Sequence, residues 1–116
     1  MDIVTLDDPV MTARALVLHD LEATGVADAD SVSFLEESLA QRSWWLEQWP
    51  QGRDLVVGLV AQDVQDALLD RSGRWPLCSA CPDSTHALYV DPDLGGPDPT
   101  WVCEQAGVVV APIGGL

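Results

Sequence analysis

The sequence predicts an α+β fold in which a lobe of three helices, residues 1–72, precedes a small three-stranded lobe, residues 73–116. Apolar residues recur at helical spacing in three segments before Ser72. After Gly73 this spacing ends, and short runs rich in β-branched and aromatic residues alternate with Pro, Gly and Asp. Every cysteine of the chain also falls in this second part, which indicates a lobe organised around a metal site.

The first helix is predicted from Pro9 to Gly25. Asp8 can accept hydrogen bonds from the free amides of the first turn, and Pro9 suits the first helical position because its φ is fixed. Gly25 is a typical left-handed terminator. His19 lies beside an aspartate but has no partner at ligand spacing, so it is interpreted as an ordinary surface or packing residue.

Two further helices follow. Ser33, with Glu36 three residues later, forms a possible capping box, which predicts a second helix from there to about Gln48. Proline and glycine then break the chain, and a third helix is predicted from Arg53 to Arg71. Its apolar stripe is the most continuous of the three, so it should be the most buried helix. Its aspartates are interpreted as a solvated face: Asp54, Asp63, Asp66 and Asp70.

Three tryptophans crowd the end of the second helix, and their rings cannot all point in one direction. One interpretation is that Trp44, Trp45 and Trp49 clamp the helices to the second lobe. The other is that they form a binding site for a partner protein, since exposed tryptophans dominate the binding energy of many interfaces. The sequence leaves both interpretations open.

The second lobe offers three short strands, predicted over residues 86–90, 100–103 and 107–111, around a set of metal-ligand residues. Cys78 and Cys81 form a Cys-x2-Cys pair, which a tight turn can present to one ion. Cys103 would begin a second such pair, but Ala106 stands where its partner would be. His86 is the nearest remaining donor, and the set predicts a tetrahedral zinc site in a zinc-ribbon-like lobe.

A structural zinc ion would explain how so small a lobe is stable. Roughly forty residues bury too little apolar area alone, and zinc contributes on the order of 10 kcal/mol in comparable small sites. In a reducing compartment, three cysteines at this spacing also fit a metal better than a disulfide. The alternative, three buried thiols and an incidental histidine, stays open at this point.

The same region resembles a group of small bacterial zinc-ribbon-like proteins of the high-GC, actinobacterial type. The resemblance covers the last third of the chain and rests on four segments: Trp75-Pro76-x-Cys78 with Cys81, His86-Ala87-Leu88, Trp101-Val102-Cys103, and Val110-Ala111-Pro112-Ile113-Gly114-Gly115-Leu116. Two positions depart from the group's pattern, in which Cys81 is a histidine and Ala87 a proline. The first exchange keeps a zinc donor. The resemblance implies a metal site and a fold, and it implies no activity.

The charge of the chain limits its partners. Five arginines, no lysine and nineteen acidic residues give a formal charge of −14 over 116 residues. Such a field repels a phosphate backbone and favours basic partners. The chain has no run of apolar residues long enough for a membrane span and no basic segment typical of a secretion signal, so the expected compartment is the cytoplasm.

The function predicted from these observations is a non-enzymatic, zinc-binding module for protein–protein interaction or an accessory role. A different class is an acidic inhibitor or immunity-like protein that masks a basic surface. A zinc hydrolase is a third alternative, because Glu104 follows Cys103 and a catalytic zinc keeps a carboxylate nearby. The spacings do not match a base deaminase, a thioredoxin-like dithiol or a calcium-binding loop.

Overall fold

The computed structural model describes residues 8–82, 85–93 and 96–116. Within them, the helices α1 (Pro9–Ala23), α2 (Ala29–Gln48) and α3 (Val56–Arg71) precede a three-stranded antiparallel sheet. Its strands are β1 (Tyr89–Asp91), β2 (Thr100–Cys103) and β3 (Val108–Pro112), and they lie side by side in chain order. The predicted α+β fold, with helices first and sheet second, is confirmed. The short apolar alternation of Ile3, Val4 and Leu6, to which the sequence assigns no element, lies outside the described residues.

Both ends of α1 follow the prediction. The Asp8 carboxylate accepts hydrogen bonds from the amides of Val10 at 3.0 Å and Met11 at 3.2 Å. At the other end Gly25 has a φ of +77°, the left-handed conformation that ends a helix at little cost in glycine. The amide of Val26 then donates to the carbonyl of Leu21, which closes the last turn.

The second helix begins earlier than predicted, and the capping box at Ser33 is wrong. Asp28 is the N-cap, with its carboxylate accepting from the Ser31 amide at 2.9 Å, so Ser33 lies within α2 on its exposed side. An aspartate is as good a cap as a serine, and the residues after it tolerate a first helical turn. The third helix also begins late, because a 3₁₀ helix (Pro50–Leu55) occupies the start predicted at Arg53.

The third helix is central, as predicted. It buries six residues, compared with four in each of α1 and α2. Its buried face contributes Val56, Val60, Ala61, Val64 and Leu68 to a core that also includes side chains of the second lobe. From that lobe come Trp75, Cys78, Leu88, Val90, Trp101, Cys103 and Ile113. The division at residue 72 stays a prediction, and apolar contacts are continuous across it.

Side chains of α3 also cover one edge of the sheet. Gln65 donates from Nε2 to the carbonyls of Trp75 at 3.1 Å and Leu88 at 2.8 Å, and Gln62 donates to the carbonyl of Asp93. Such bonds give a partner to main-chain carbonyls that lie outside the three strands. They hold the segment that contains the metal ligands against the helix. No helix in the described part of the chain has the length and apolar character needed to cross a membrane.

Candidate metal centre

The structure brings the four predicted donor residues together. Cys78, Cys81, His86 and Cys103 each offer one ligand atom, and these atoms all lie within 4.8 Å of one another. Cys78 and Cys103 are buried, whereas Cys81 and His86 are partly exposed. A group of three thiols and one imidazole at this spacing could hold a metal ion.

Two distances within the cluster fit a tetrahedral ion. The Sγ atoms of Cys81 and Cys103 are 3.6 Å apart, and Nε2 of His86 lies 3.6 Å from Sγ of Cys103. In a tetrahedral zinc site, bonds of about 2.3 Å to sulfur and about 2.0 Å to nitrogen separate two sulfurs by about 3.8 Å, and a sulfur from a nitrogen by about 3.5 Å. These two contacts therefore match the spacing that a single tetrahedral ion requires.

A short antiparallel ladder places His86 opposite Cys78. The Cys78 amide donates to the His86 carbonyl at 2.9 Å, and the Leu88 amide donates to the Pro76 carbonyl at 2.8 Å. Between these bonds, Leu77 and Ala87 form an isolated β-bridge. Because the paired residues are only eight to twelve positions apart in the chain, the pairing is local, and it sets the histidine beside the Cys-x2-Cys turn.

Two tight turns point amides at the sulfur atoms. In the first, the Ala80 amide lies 3.3 Å from Sγ of Cys78, and in the second, the Ala106 amide lies 3.4 Å from Sγ of Cys103. The second turn closes through the Gly107 amide, which donates to the Cys103 carbonyl, with Gly107 at a φ of +66°. Amide hydrogen bonds stabilise a thiolate, which is the form that binds metal.

The thiols differ in how readily they lose a proton. The hydrogen bond from the Ala106 amide lowers the pKa of the Cys103 thiol below its usual value. Hydrogen bonding to Cys103, helped by desolvation, raises the pKa of Cys81 to about 11. Cys103 is therefore the first of these two thiols to ionise, and Cys81 would lose its proton when a metal ion binds.

The surroundings of His86 also fit a metal ligand. Its Nδ1 atom is buried and has no hydrogen-bond partner among the described residues. Its Nε2 atom has only the long contact to the Cys103 sulfur. Nε2 therefore has no strong hydrogen bond among the described residues, and a metal ion on this atom would give it a partner. Nδ1 would still lack a partner among them.

Two tryptophans fasten the metal-binding segments to the end of α1. Trp75 precedes the first cysteine pair and Trp101 precedes Cys103, and their rings meet edge to face with centroids 5.4 Å apart. Trp75 donates from Nε1 to Oγ1 of Thr24 at 2.9 Å, and Trp101 donates from Nε1 to Asp20 at 2.8 Å. Both partners belong to the last turn of α1 or the residue after it, so the ligand-bearing chain is positioned by the helical lobe.

Asp20 is a structural residue that sequence reasoning missed. Its side chain is fully buried, and besides the Trp101 indole it accepts the amides of Gly114 at 2.6 Å and Leu116 at 2.9 Å. His19, next to it, is mostly exposed, with Nδ1 3.3 Å from the same carboxylate. The only sequence signal was an aspartate on the apolar side of a helix between Val17 and Leu21.

The tryptophans of α2 divide between packing and exposure. Trp45 and Trp49 meet edge to face at 5.4 Å, and the guanidinium of Arg42 lies 5.6 Å from the Trp45 ring centroid. Trp44 turns away, with 64% of its surface exposed, and Trp49 is 46% exposed. Glu104, the carboxylate considered for catalysis, is also exposed and lies in the turn after β2.

The chain belongs to the family described as Domain of unknown function (DUF8819), which matches residues 6–113. The match includes all three helices, all three strands and the four donor residues among the described part of the chain. No curated protein and no solved structure matches the chain.

Proposed function

We propose that the chain is a non-enzymatic protein-interaction or accessory module whose second lobe is held together by a structural zinc ion. The observation that carries the proposal is the convergence of four donor atoms within 4.8 Å. Cys78, Cys81, His86 and Cys103 would hold the ion, and the cytoplasm is the expected compartment. The zinc-ribbon resemblance of the last third of the chain supports the same proposal.

Ligand chemistry supports zinc over other common divalent ions. Three thiolates and one imidazole form a soft donor set with no carboxylate, which disfavours magnesium, calcium and manganese. Closed tetrahedral sites with sulfur and nitrogen ligands are typical of structural zinc. The 3.6 Å spacings of the donor atoms support the same geometry.

The number of protein donors supports a structural role. A catalytic zinc keeps one position open for water or substrate, with three protein ligands. Here the four donors would fill a tetrahedral shell. Burial of Cys78 and Cys103 in the shared core supports a role in which the ion would link the two lobes.

Elemental analysis of purified protein tests the proposal. We expect one zinc per chain, and we expect Cys78→Ser to lose it while the matched variant Ser79→Ala retains it. Ser79 is exposed in the same turn, so the control reports any general effect of altering that turn. Wild-type protein without stoichiometric zinc, or with a fold and thermal stability unchanged by a strong chelator, would refute the proposal.

The second candidate function is an acidic inhibitor or immunity-like protein that masks a basic surface. The formal charge of −14 favours this function. It is also favoured because arginines of the chain pair with carboxylates of the same chain. Among the described residues, Arg14, Arg42 and Arg71 each pair with a carboxylate of the same chain. A partner protein that binds through this charge should be basic, and its affinity should fall steeply as the salt concentration rises. Neutral partners or salt-independent binding would count against it.

The third candidate, a zinc hydrolase, is favoured by a groove of about 1090 Å³ between α3 and the second lobe. Both His86 and Glu104 line this groove. In such an enzyme Glu104 would act as a base toward a zinc-bound water. Four protein ligands on the metal, with no bound water, would exclude this candidate.

A further inference from the structure

The exposed side of α2 carries an aromatic residue between two acidic ones. Trp44 lies on this side with Gln41 and Glu47 one turn away in either direction and Glu37 two turns before it, and all four are exposed. We call these residues, together with Gln48, the Trp44 face. Trp44 is the most exposed of the large apolar side chains in the described part of the chain.

Elsewhere the chain already contains an arginine that contacts both an indole and a carboxylate. Arg42 lies over the Trp45 ring, with its guanidinium carbon 5.6 Å from the ring centroid. The same guanidinium donates to both oxygens of Asp63, at 2.8 Å each. An indole and a carboxylate thus bind one arginine from two sides, and the paired carboxylate raises the pKa of Arg42.

The Trp44 face has the indole and the carboxylates of this arrangement but lacks its cation. Neither Glu37 nor Glu47 forms an ion pair among the described residues. A cavity of about 410 Å³ lies beside the ring, lined by Gln41, Arg42, Trp44 and Trp45. The charge of Arg42 is already balanced by Asp63, so it is a weak obstacle to a second guanidinium.

We propose that the Trp44 face binds an arginine-bearing segment of a partner protein, with a guanidinium on the Trp44 ring and Glu37 and Glu47 pairing with it or with neighbouring cations. The proposal rests on the proposed function and identifies the chemistry of its partner. The complementary charge decides the occupant: a purely apolar or anionic segment would desolvate or oppose these carboxylates. Arginine suits the site better than lysine because its planar group both stacks on indole and donates to two carboxylate oxygens.

Binding of labelled peptides to the zinc-loaded protein tests the proposal by fluorescence anisotropy. Three peptides of equal length carry arginines, lysines or serines at the same positions, separated by glycines. We expect the arginine peptide to bind most tightly and Trp44→Ala to weaken it by about fivefold, removing most of the preference over lysine. The Glu37→Gln and Glu47→Gln double variant should also weaken it and flatten its salt dependence.

Matched controls separate this face from general attraction to an acidic protein. Tyr89→Ala removes another exposed aromatic residue, from β1, and Asp66→Asn with Asp70→Asn removes two exposed charges from α3. We expect both controls to change the affinity by less than about twofold. Equal weakening in the control charge variant, or an unchanged affinity in Trp44→Ala, would overturn the proposal. Zinc content and circular dichroism of each variant report separately on the proposed function, whose failure would appear as missing zinc in the wild type.

Discussion

At the scale of single residues, Asp20 does the most to join the helices to the sheet. Its buried carboxylate gathers the Trp101 indole and two backbone amides from the end of the chain, 81 to 96 positions away. An isolated buried carboxylate would be costly, but three donors at 2.6 to 2.9 Å compensate for its lost hydration. The same contacts hold β2 in place, and Cys103 lies at the end of that strand.

Asp20→Asn should therefore destabilise the protein strongly. The asparagine side chain has nearly the same shape as aspartate, but its NH₂ group is itself a donor and would face the N–H groups that the carboxylate accepts from. At least one buried N–H would then be unpaired. We expect the free energy of unfolding to fall by about 2–4 kcal/mol, measured by urea denaturation of the zinc-loaded protein. Asp66→Asn, on the exposed side of α3, is the control and should change it by less than about 0.5 kcal/mol. Equal effects of the two substitutions would show that the three contacts carry little stability.

The state of Cys81 predicts how metal binding depends on pH. Since contact with Cys103 raises the pKa of Cys81 to about 11, this thiol holds its proton at neutral pH and must release it when the metal binds. Lowering the pH therefore weakens binding, and raising it strengthens binding. We expect the apparent zinc affinity to rise at least about tenfold per pH unit between about pH 6 and 8, measured by competition with a chelator of known pH dependence. A pH-independent affinity would mean that no such proton is displaced.

At the scale of elements, the turn after β2 retains a ligand-binding geometry without the second cysteine. The Ala106 amide contacts the Cys103 sulfur from three residues further along the chain, whereas the Ala80 amide contacts the Cys78 sulfur from two residues further along. His86 compensates for the missing thiol by approaching from the ladder opposite Cys78. In this sequence the turn after β2 therefore supplies one donor, and the fourth donor comes from a different segment.

A compensating pair of substitutions follows from this separation. His86→Ala should lose most zinc, because three ligands remain, and His86→Ala combined with Ala106→Cys should recover stoichiometric zinc with four sulfur ligands. Cobalt-substituted protein measures this, since additional thiolate ligands strengthen the sulfur-to-cobalt charge-transfer absorption. Ala80→Cys in place of Ala106→Cys is the control, and it should recover nothing. If His86→Ala combined with Ala106→Cys did not recover zinc, position 106 of the second turn would not face the ion.

The break between α2 and α3 depends on the size of one residue. Gly52 is buried against the rings of Trp45 and Trp49, and a Cβ built there would come within 2.7 Å of Trp49 and closer to Trp45. Gly52→Ala should therefore displace these rings and cost about 1–3 kcal/mol of unfolding free energy, measured by urea denaturation. Gln51→Ala, next to it and exposed, should cost little. If Gly52→Ala left the free energy of unfolding unchanged, the rings of Trp45 and Trp49 would be able to move aside at little cost.

At the scale of the whole molecule, metal and helices should be coupled. Cys78 and Cys103 belong to the same apolar core as Leu21 and Val64, so the second lobe cannot loosen without exposing helical side chains. We expect chelation to lower the melting temperature seen by helical circular dichroism and by tryptophan fluorescence together. A helical transition that is unchanged by chelation would show instead that the helices are stable without the second lobe.

The sequence predicted the fold order because that order depends on local patterns, and it predicted the donor cluster because cysteine and histidine are the ligand types that zinc prefers. Helical periodicity, the Asp8 cap and the glycine terminator need only neighbouring residues, and so does a Cys-x2-Cys turn. Asp20 could not be found this way, since its partners lie at the opposite end of the chain. Asp63 was interpreted as part of a solvated face for the same reason, whereas it binds Arg42 and Ser38 of α2. Contacts between distant segments follow from packing, which a single sequence does not display.

X-ray absorption spectroscopy of zinc-loaded protein tests the closed structural site most directly, because it counts the ligands of the metal. A Cys3His site has three sulfur atoms at about 2.3 Å and one nitrogen at about 2.0 Å, with no further light ligand, and this is the result that we expect. Loss of the nitrogen in His86→Ala would identify the fourth ligand. A shell with fewer than three sulfur atoms, or with a bound water beside three protein ligands, would contradict the closed structural site.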